Sequence, residues 1–472
     1  MTRRNHILKS LLKSHFKLEK NNTTIKTEIL AGFTAFITMA YMILVIPNIL
    51  KFGGMNAQGI IGDGAAIFNS LNDPIIGSVF TAVCVASGIG SIFMGIYANL
   101  PFALAPGMGL VAFFSYSVCM NLGYSWNQAL TAVFISGILF IIITLTSIRE
   151  KIVDALPKNL KTAISAGIGL FISLIGLKSG GIVVASQGTL VKFGNFTNSK
   201  VILTLIGITI IAILMARKVR GSILIGIIIT TIIGIPMGIT DISDIKFLSM
   251  PPSLEPTFLA FDFKGLLGSD STNLLSALIS ILMVILTFSL VDLFDTIGTL
   301  VGTAQKADLI NEKGKVKNMN KALLCDATAT TFGATLGTPT LATVVESTAG
   351  IAEGGRTGLM TCVVGILFFL SLFFSGLVGI VPKEATAPAL IIVGVLMMSS
   401  ITKVDFEDFT EALPAFFTIA MMPFSYSIAN GVAAGVIFYP IMKISTKRYK
   451  EVHPIVYILA VLFIIRFIML PE

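Results

Sequence analysis

The sequence contains few charged residues for its length. Only 12% of its 472 residues are Asp, Glu, Lys or Arg, whereas 54% are hydrophobic. A soluble protein of this length carries about twice that charged fraction. The mean hydropathy of +0.90 reflects the same imbalance. The composition therefore excludes an ordinary soluble protein and predicts a polytopic membrane protein.

Histidine and cysteine are scarce as well. The three histidines, His6, His15 and His453, lie outside the long apolar spans, which excludes a histidine-ligated metal site within the membrane. We interpret the cysteines as small hydrophobic residues of helix packing, because they are far apart and each lies in or beside an apolar segment. They are Cys84, Cys119, Cys325 and Cys362.

Positive charge is concentrated in short loops between apolar spans. The net charge of +8 by itself would suit a nucleic-acid-binding protein, but this distribution is the positive-inside pattern of membrane proteins. We therefore expect no nucleic-acid partner, and we place these loops and the N-terminal segment, residues 1–27, in the cytoplasm. That segment has no apolar core before a cleavage site, so it is not predicted to be a signal peptide. The basic loops are residues 147–161, 216–221, 305–321 and 443–450.

Apolar runs long enough to cross a bilayer recur along the chain. Together with three runs broken by Pro, Gly or Thr, at 101–119, 322–337 and 338–352, they give about 14 crossings. With that count, every basic loop falls on the side of the N-terminus. A last apolar stretch, residues 453–470, does not fit this parity, and its placement stays open. The unbroken runs lie near 28–50, 76–98, 129–147, 160–178, 200–217, 221–239, 275–303, 358–381, 386–400, 411–424 and 425–443.

The two halves of the chain share features that indicate an internal repeat. Residues 160–180 resemble residues 383–400, about half a chain later. The broken segments 101–119 and 338–352 are separated by a similar distance. Because each half has an odd number of spans, the two halves would have inverted topology. Inverted repeats with discontinuous helices are typical of transporters, and the breaks mark the binding site.

The broken segments at 101–119 and 338–352 each predict an extended piece followed by a half-helix. In residues 99–116, two prolines disfavour helix before them and the glycines of "PGMG" permit unusual backbone angles. In residues 336–358, the run "TPTLATVV" is β-branched. Non-helical backbone at membrane depth must be buried in protein or line a cavity. We therefore expect the two extended pieces to pair and to present backbone groups to a ligand.

Carboxylates occur where lipid-facing sequence would carry none. Asp292 and Asp295 follow an uncharged apolar run, and Glu346 ends the second extended piece. A charge at the bilayer centre costs roughly 2.5–3.5 kcal/mol on insertion scales, so such residues indicate function. No Lys or Arg lies in the same spans. A carboxylate of this kind can exchange a proton or accept hydrogen bonds from a ligand, which suits a proton-coupled carrier of a polar, roughly neutral solute.

Three neighbouring polar residues keep two interpretations each. Thr299 is one helical turn after Asp295, so it faces the same cavity or packs between helices. Asp292 takes part in the site or braces a neighbouring helix. Asp326 lies among threonines that satisfy it structurally, with an indirect part in proton coupling as the alternative.

Four separated motifs resemble the AzgA-like purine permeases of the nucleobase–cation symporter-2 (nucleobase–ascorbate transporter) superfamily. The resemblance runs from about residue 15 to 470. The motifs are "GFTAFITMAYMILVIPNIL" (32–50), "ANLPFALAPGMGLVAFF" (98–114), "DLFDTIGTLVG" (292–302) and "LGTPTLATVVESTAGIAEGGRTGL" (336–359).

The resemblance implies an all-α polytopic fold of about 14 transmembrane segments in two inverted repeats of seven, with short β-strands in segments 3 and 10. It also implies a core domain that moves relative to a gate domain. The core domain would comprise residues 28–147 and 273–381, and the gate domain residues 160–239 and 386–445. The C-terminal apolar helix, 453–472, has no assigned place.

The resemblance also assigns site residues. Segment 8 supplies Asp295, in "DTIG", with Thr299 one turn later, and segment 10 supplies Glu346. We add Ser347 beside Glu346 and place Phe113 over a flat face of the base. Proton coupling is assigned to Asp295 and Glu346, with Asp292 and Asp326 as further candidates. Segment 3 contributes Gly107, Met108, Gly109 and Leu110, followed by Val111 where the family usually has Asn.

The predicted activity is proton-coupled uptake of a purine nucleobase across the cytoplasmic membrane, with hypoxanthine or guanine first and adenine next. No cofactor beyond the proton is expected, and superfamily analogy suggests a homodimer. The alternative is a carrier of xanthine, a pyrimidine or an anion on the same architecture, although carboxylates at the site disfavour an anion. An intramembrane enzyme is disfavoured, because Asp292 and Asp295 on one helix do not form a dyad built from separate helices.

Overall fold

The computed structural model confirms the predicted helical membrane fold. Eight helices of the described residues are long and apolar enough to cross a membrane. Shorter apolar helices accompany them, among them Met108–Asn121 and Phe409–Phe424. The structure describes residues 10–67, 73–146, 157–186, 188–242, 248–266, 281–282, 284–289, 291–292, 296, 299–300, 304, 309, 316 and 318–469. Most of the predicted segment 8, residues 275–303, lies outside this set.

In the first half, helices are interrupted at the segments that carry the predicted breaks. A π-helical stretch, Met94–Ala98, ends α3, and another, Phe113–Asn121, extends α4. The elements are α1 (Ile25–Met39), α2 (Tyr41–Leu50), α3 (Pro74–Phe93), β1 (Leu104–Pro106), α4 (Met108–Ala112), α5 (Trp126–Leu145), α6 (Lys158–Ser179), β2 (Val183–Ser186), β3 (Leu190–Phe193), α7 (Ser199–Ala216) and α8 (Ser222–Gly234).

In the second half, long helices again flank a short strand, β4. The short helix α9 (Phe263–Leu266) precedes it. The further elements are α10 (Met319–Leu336), β4 (Leu341–Thr343), α11 (Ser347–Ala352), α12 (Gly358–Ser371), α13 (Ser375–Val378), α14 (Lys383–Met398), α15 (Phe409–Phe424), α16 (Ile428–Ser445) and α17 (Pro454–Met469).

The two predicted extended pieces pair with each other. Strands β1 and β4 are antiparallel, with Leu104 opposite Thr343 and Pro106 opposite Leu341. Both strands are fully buried. Their backbone groups therefore satisfy each other inside the protein, which is the condition for extended chain at membrane depth. The prediction of short strands in segments 3 and 10 is confirmed.

The third interrupted apolar run, residues 322–337, forms one continuous helix. These residues lie in α10, which ends at Gly337 with a φ of +103°. The Thr328 and Thr331 hydroxyls donate to Leu324 O and Ala327 O of the same helix. Threonines that bond back to the preceding turn are compatible with helix, so the threonines of this run do not interrupt it.

The helices pack in two groups. In one, α10 packs on α3 and α5, while α12 packs on α1 and α3, around the two central strands. In the other, α6 packs on α14, α15 and α16, and α7 packs on α8 and α14. Packing within each group is more extensive than between them, and α2 contacts both. This arrangement agrees with a core and a gate, although the predicted residue boundaries of these domains remain a prediction.

Helices α6 and α14, whose sequences indicated a repeat, pack directly against each other. A Cβ on Gly394 would overlap Ser173 Oγ and Gly169 O, and one on Gly169 would lie 2.6 Å from Gly394 O. Glycine at both positions therefore lets the two backbones approach closely, as small residues do at membrane helix interfaces.

The C-terminal helix α17 runs back along α16. Its Arg466 is 5% exposed and donates from Nη1 to Asn430 Oδ1, 2.9 Å away near the start of α16. Val456 and Phe463 are buried on one face, whereas Ile458 and Ile468 are exposed. Residues 454–469 therefore pack on the outside of the helix bundle and present an apolar face.

Substituting Gly394 tests the close packing of α6 and α14. Gly394→Ala should lower the free energy of unfolding by about 1–3 kcal/mol, because the added methyl overpacks the contact with Ser173. The measurement is thermal unfolding in detergent. The matched control is Gly188→Ala, since no described atom lies within 4 Å of a Cβ there. Equal stability of the two variants would contradict the packing argument.

Candidate functional site

The paired strands are held in place by buried hydroxyl groups. Ser91 Oγ accepts a hydrogen bond from Leu104 N at 3.0 Å and donates to Leu104 O at 3.1 Å. Ser347 Oγ accepts from Ala103 N at 3.0 Å, and Ser347 is fully buried. The Ser347 hydroxyl therefore braces the start of β1. Its predicted contact with substrate remains a prediction.

Glu346 lies at the turn between β4 and α11. The Tyr41 hydroxyl donates to Glu346 Oε1 at 2.7 Å, and Thr38 Oγ1 donates to Glu346 O at 3.3 Å. Tyr41 is fully buried, Glu346 is half-buried, and the preceding Val345 is 57% exposed. The turn thus combines an accessible edge with a carboxylate fixed at one oxygen.

Asp295, the main candidate of segment 8, lies outside the described residues. Asp292, Thr296 and Thr299 are described and helical. Asp292 is 2% exposed and Thr299 is 7% exposed, so both are buried. The predicted roles of Asp295, Asp292 and Thr299 stay predictions.

Asp326 of α10 contacts segment 8 directly. Thr296 Oγ1 lies 3.1 and 3.0 Å from the two carboxylate oxygens of Asp326, to which it donates. Thr343 of β4 donates in turn to Thr296 O at 3.4 Å. Asp326 is fully buried. A hydroxyl partner of Asp326 therefore comes from another segment, and this contact joins segment 8 to α10 and β4.

Segment 3 places backbone and apolar side chains beside the strands. Gly107 N donates to Thr340 O at 3.3 Å, which extends the strand pairing by one residue. A Cβ on Gly109 would lie 2.8 Å from Ile168 Cγ2, so glycine is required where α4 approaches α6. Met108 is 6% exposed, and Leu110 and Val111 are fully buried.

The Phe113 ring is fully buried and packs edge-on against Phe288, with ring centroids 4.7 Å apart. Stacking of this ring on a substrate would require it to leave that contact. The predicted stacking role therefore has no support from this conformation and remains a prediction.

An aromatic cluster links the two helix groups at the end of the bundle opposite the basic loops. Tyr116, from the π-helical stretch, contacts Phe171 of α6 and Tyr426 of the α15–α16 turn, at centroid distances of 6.4 and 5.8 Å. Phe171 and Tyr426 are 5.5 Å apart. All three contacts are edge-to-face, a favourable geometry for aromatic rings.

An ion pair links the two groups at the other end. Arg220, in the loop between α7 and α8, pairs with Glu353 at the end of α11. The following Gly221 has a φ of +67°, and a Cβ there would overlap the Ile37 side chain. The loop therefore sits closely on α1 beside the half-helix that follows Glu346.

Tyr41, Thr38 and Thr296 were not singled out from the sequence. Tyr41 and Thr38 flank the junction of α1 and α2 in an apolar run, so a tyrosine there looks like ordinary packing. Thr296 is the residue after Asp295, within the quoted motif, but only the fold shows that it donates to Asp326.

The arrangement can recognise a polar ligand without a metal. Among the described residues, no group of three or more His, Cys, Asp or Glu side chains could hold a metal ion. Glu346 offers a carboxylate at an accessible edge, and the adjoining strands and half-helices bring backbone groups to the same region. The fold, with its long apolar helices and its paired strands inside the bundle, is that of a multi-pass membrane protein and is typical of a transporter.

Comparison with known proteins agrees with this class. A family model described as "Permease family" matches residues 26–434. The adenine permease AdeP of Escherichia coli is 41% identical, covering 97% of this chain and 96% of its own length. The guanine/hypoxanthine permease PbuG of Bacillus subtilis is 42% identical, covering 97% of this chain and all of its own. The transmembrane domain of the cyanobacterial bicarbonate transporter BicA superposes with a TM-score of 0.61 at 17% identity, covering 87% of this chain and 97% of that one.

The chain belongs to this permease family. The resemblance to the nucleobase–cation symporter-2 superfamily, drawn from four motifs, is confirmed. The similarity to BicA supports the fold, including its division into core and gate, and nothing about the solute.

Substituting Thr296 tests the junction at Asp326. Thr296→Val should lower the free energy of unfolding by about 1–3 kcal/mol, because the buried Asp326 carboxyl group loses the hydrogen bond from the Thr296 hydroxyl. Thr296→Ser should be closer to wild type, because it keeps the hydroxyl. Thermal unfolding in detergent measures both. Thr328→Val is the control, since that hydroxyl bonds only its own helix backbone. Equal stability of T296V and T328V would show that the hydrogen bond between Thr296 and Asp326 does not stabilise the contact of segment 8 with α10.

Proposed function

We propose that this permease takes up purine nucleobases in symport with protons across the cytoplasmic membrane. The observation that carries the proposal is Glu346, a half-buried carboxylate beside the accessible Val345 and the paired strands. The relatives named for adenine and for guanine and hypoxanthine are similar over nearly their whole length. Their identities to this chain are nearly equal, so they support the purine class. We keep hypoxanthine or guanine as first expectation and adenine next.

Purine recognition follows from the groups at the site. A purine presents N–H donors and ring-nitrogen acceptors in one plane. Glu346 accepts from N–H groups at one edge, and Asp295 accepts at another. Such contacts discriminate strongly, because a site built for a ligand N–H leaves buried polar groups unpaired when another solute binds. Carboxylates at the site also disfavour the alternative of an anion substrate.

Proton coupling uses the same carboxylates. A carboxyl group alternates between an acceptor when ionised and a donor when protonated. A proton taken up by Glu346 or Asp295 therefore changes the hydrogen bonds offered to the base. Asp326 acts indirectly, through Thr296, which follows Asp295 in the chain. Asp292 remains a further candidate for this role.

Alternating access is movement of the core relative to the gate. The aromatic cluster Tyr116–Phe171–Tyr426 joins the two groups on the outer side. On the side of the basic loops, the ion pair Arg220–Glu353 joins the groups as well, and it must break when the groups move apart on that side. Val345 is exposed, and we expect it to be reached from this side, which we place in the cytoplasm together with the N-terminus.

Uptake measurements test the substrate and the coupling ion. Cells without their own purine carriers should accumulate radiolabelled hypoxanthine saturably, and a protonophore should abolish this uptake. Unlabelled guanine, adenine, xanthine and uracil serve as competitors. Glu346→Gln should reduce uptake about 10- to 100-fold, because an acceptor charge is lost. Glu255→Gln, on the exposed surface, should behave as wild type.

The outcomes separate the parts of the proposal. Inhibition by uracil rather than by purines would favour the pyrimidine alternative. Saturable uptake that survives the protonophore would reject proton coupling and leave the purine assignment intact. No uptake and no inhibition by any purine would overturn the assignment.

Cysteine labelling tests the open side of the site. In a cysteine-free background, V345C should react with an impermeant maleimide in inverted vesicles but not in intact cells. The control is V344C, because Val344 is 5% exposed while Val345 is 57% exposed. A bound purine should protect V345C. Rapid labelling of V345C in intact cells would contradict access to the site from the cytoplasm.

A further inference from the structure

The junction between α1 and α2 directs two hydroxyl groups at the Glu346 turn. Helix α1 ends at Met39, α2 begins at Tyr41, and Ala40 lies between them. Thr38 Oγ1 bonds back to Ala35 O at 2.7 Å, an interaction that bends helices. The same hydroxyl lies 3.3 Å from Glu346 O. The junction therefore holds the first transmembrane segment against the residue that we assign to substrate.

The contact between Tyr41 and Glu346 is short and specific. The phenol hydroxyl is 2.7 Å from Oε1, the length of a strong hydrogen bond from O–H to a carboxylate. Tyr41 is fully buried, so its hydroxyl has no access to bulk water. The Tyr41 hydroxyl therefore holds the carboxylate of Glu346 at Oε1 from the first transmembrane segment.

We propose that Tyr41 is a positioning residue for substrate: its hydroxyl fixes Oε1 of Glu346 and so orients the carboxylate for the N–H edge of the nucleobase. This inference rests on the proposed function and adds a residue from the first transmembrane segment to it. Tyr41 acts through Glu346 and does not itself need to touch the base.

Fixing Oε1 of Glu346 in advance lowers the conformational free energy that substrate binding must supply. A glutamate side chain has three rotatable bonds, and immobilising a flexible side chain at an interface costs about 0.5–1.5 kcal/mol. Tyr41 holds Glu346 before the base arrives, so less of that cost falls on substrate binding.

Tyr41→Phe removes one oxygen atom and keeps the ring. In the uptake assay, KM for the preferred purine should rise about tenfold, the equivalent of one hydrogen bond of positioning, while Vmax stays near wild type. Loss of general packing would instead lower the amount of folded carrier and hence Vmax. The matched control is Tyr439→Phe, because Tyr439 is also buried but lies in α16, in the other helix group. Its KM should not change.

An infrared measurement tests the contact independently of transport. Acid-minus-neutral difference spectra of purified protein contain the C=O stretch of each carboxyl group that gains a proton. The Glu346 band is the one missing in Glu346→Gln. In Y41F this band should shift, because its hydrogen bond is lost, whereas Y439F should leave it in place.

The two measurements keep the proposals apart. If wild-type protein takes up no purine but Y41F shifts the Glu346 band, the proposed function fails and the Tyr41–Glu346 contact stands without a substrate. If wild type takes up purines, and Y41F has unchanged KM or an unshifted band, the positioning role of Tyr41 is overturned and the purine assignment survives.

Discussion

The architecture depends on one constraint: backbone that leaves the helical conformation inside a membrane must still find hydrogen-bond partners. Here two short strands meet that need by pairing with each other, from Leu104 opposite Thr343 to Pro106 opposite Leu341. Because the strands come from opposite halves of the chain, the pairing ties the halves together. Ser91 and Ser347 then bond backbone groups beside the pairs. The pairing and the two serine hydroxyls thus supply hydrogen-bond partners for the extended chain from within the protein.

This support explains why the functional groups gather where they do. Each strand leads directly into a helix, and Glu346 occupies the turn at one of these transitions. The turn cannot shift freely, because β4 is held by β1 on one side and α1 and α2 hold Glu346 on the other. Segment 8 is attached to the same strand through Thr343 and Thr296. A carboxylate placed here has a rigid frame, which a binding site requires for precise hydrogen bonding.

Much of the fold follows from sequence patterns with clear physical meaning. Proline, glycine and β-branched residues identified both extended pieces, since each disfavours helix for a local reason. Residues 322–337 also contain threonine and glycine and yet form helix, because a threonine hydroxyl can bond to the preceding turn, as that of Thr328 does. The partners of Glu346 and Asp326 could not be derived locally. Tyr41 is 305 residues from Glu346 and Thr296 is 30 from Asp326, so only the packing brings these groups together.

The two kinds of contact between helices suit a carrier whose parts move as units. Within the second group, backbones meet at glycines such as Gly169 and Gly394, where a single added methyl would overlap. Such close packing tolerates little deformation, so the group moves as a body. Between the groups the contacts are less extensive. They include edge-to-face rings at Tyr116 and Tyr426 and an ion pair at Arg220. A ring pair is worth about 0.5–1.5 kcal/mol and a surface ion pair about 0–1 kcal/mol. The free energy of binding a small solute can offset contacts of that size. Extensive packing within the groups and smaller contacts at their boundary are the arrangement that the proposed movement of core against gate requires.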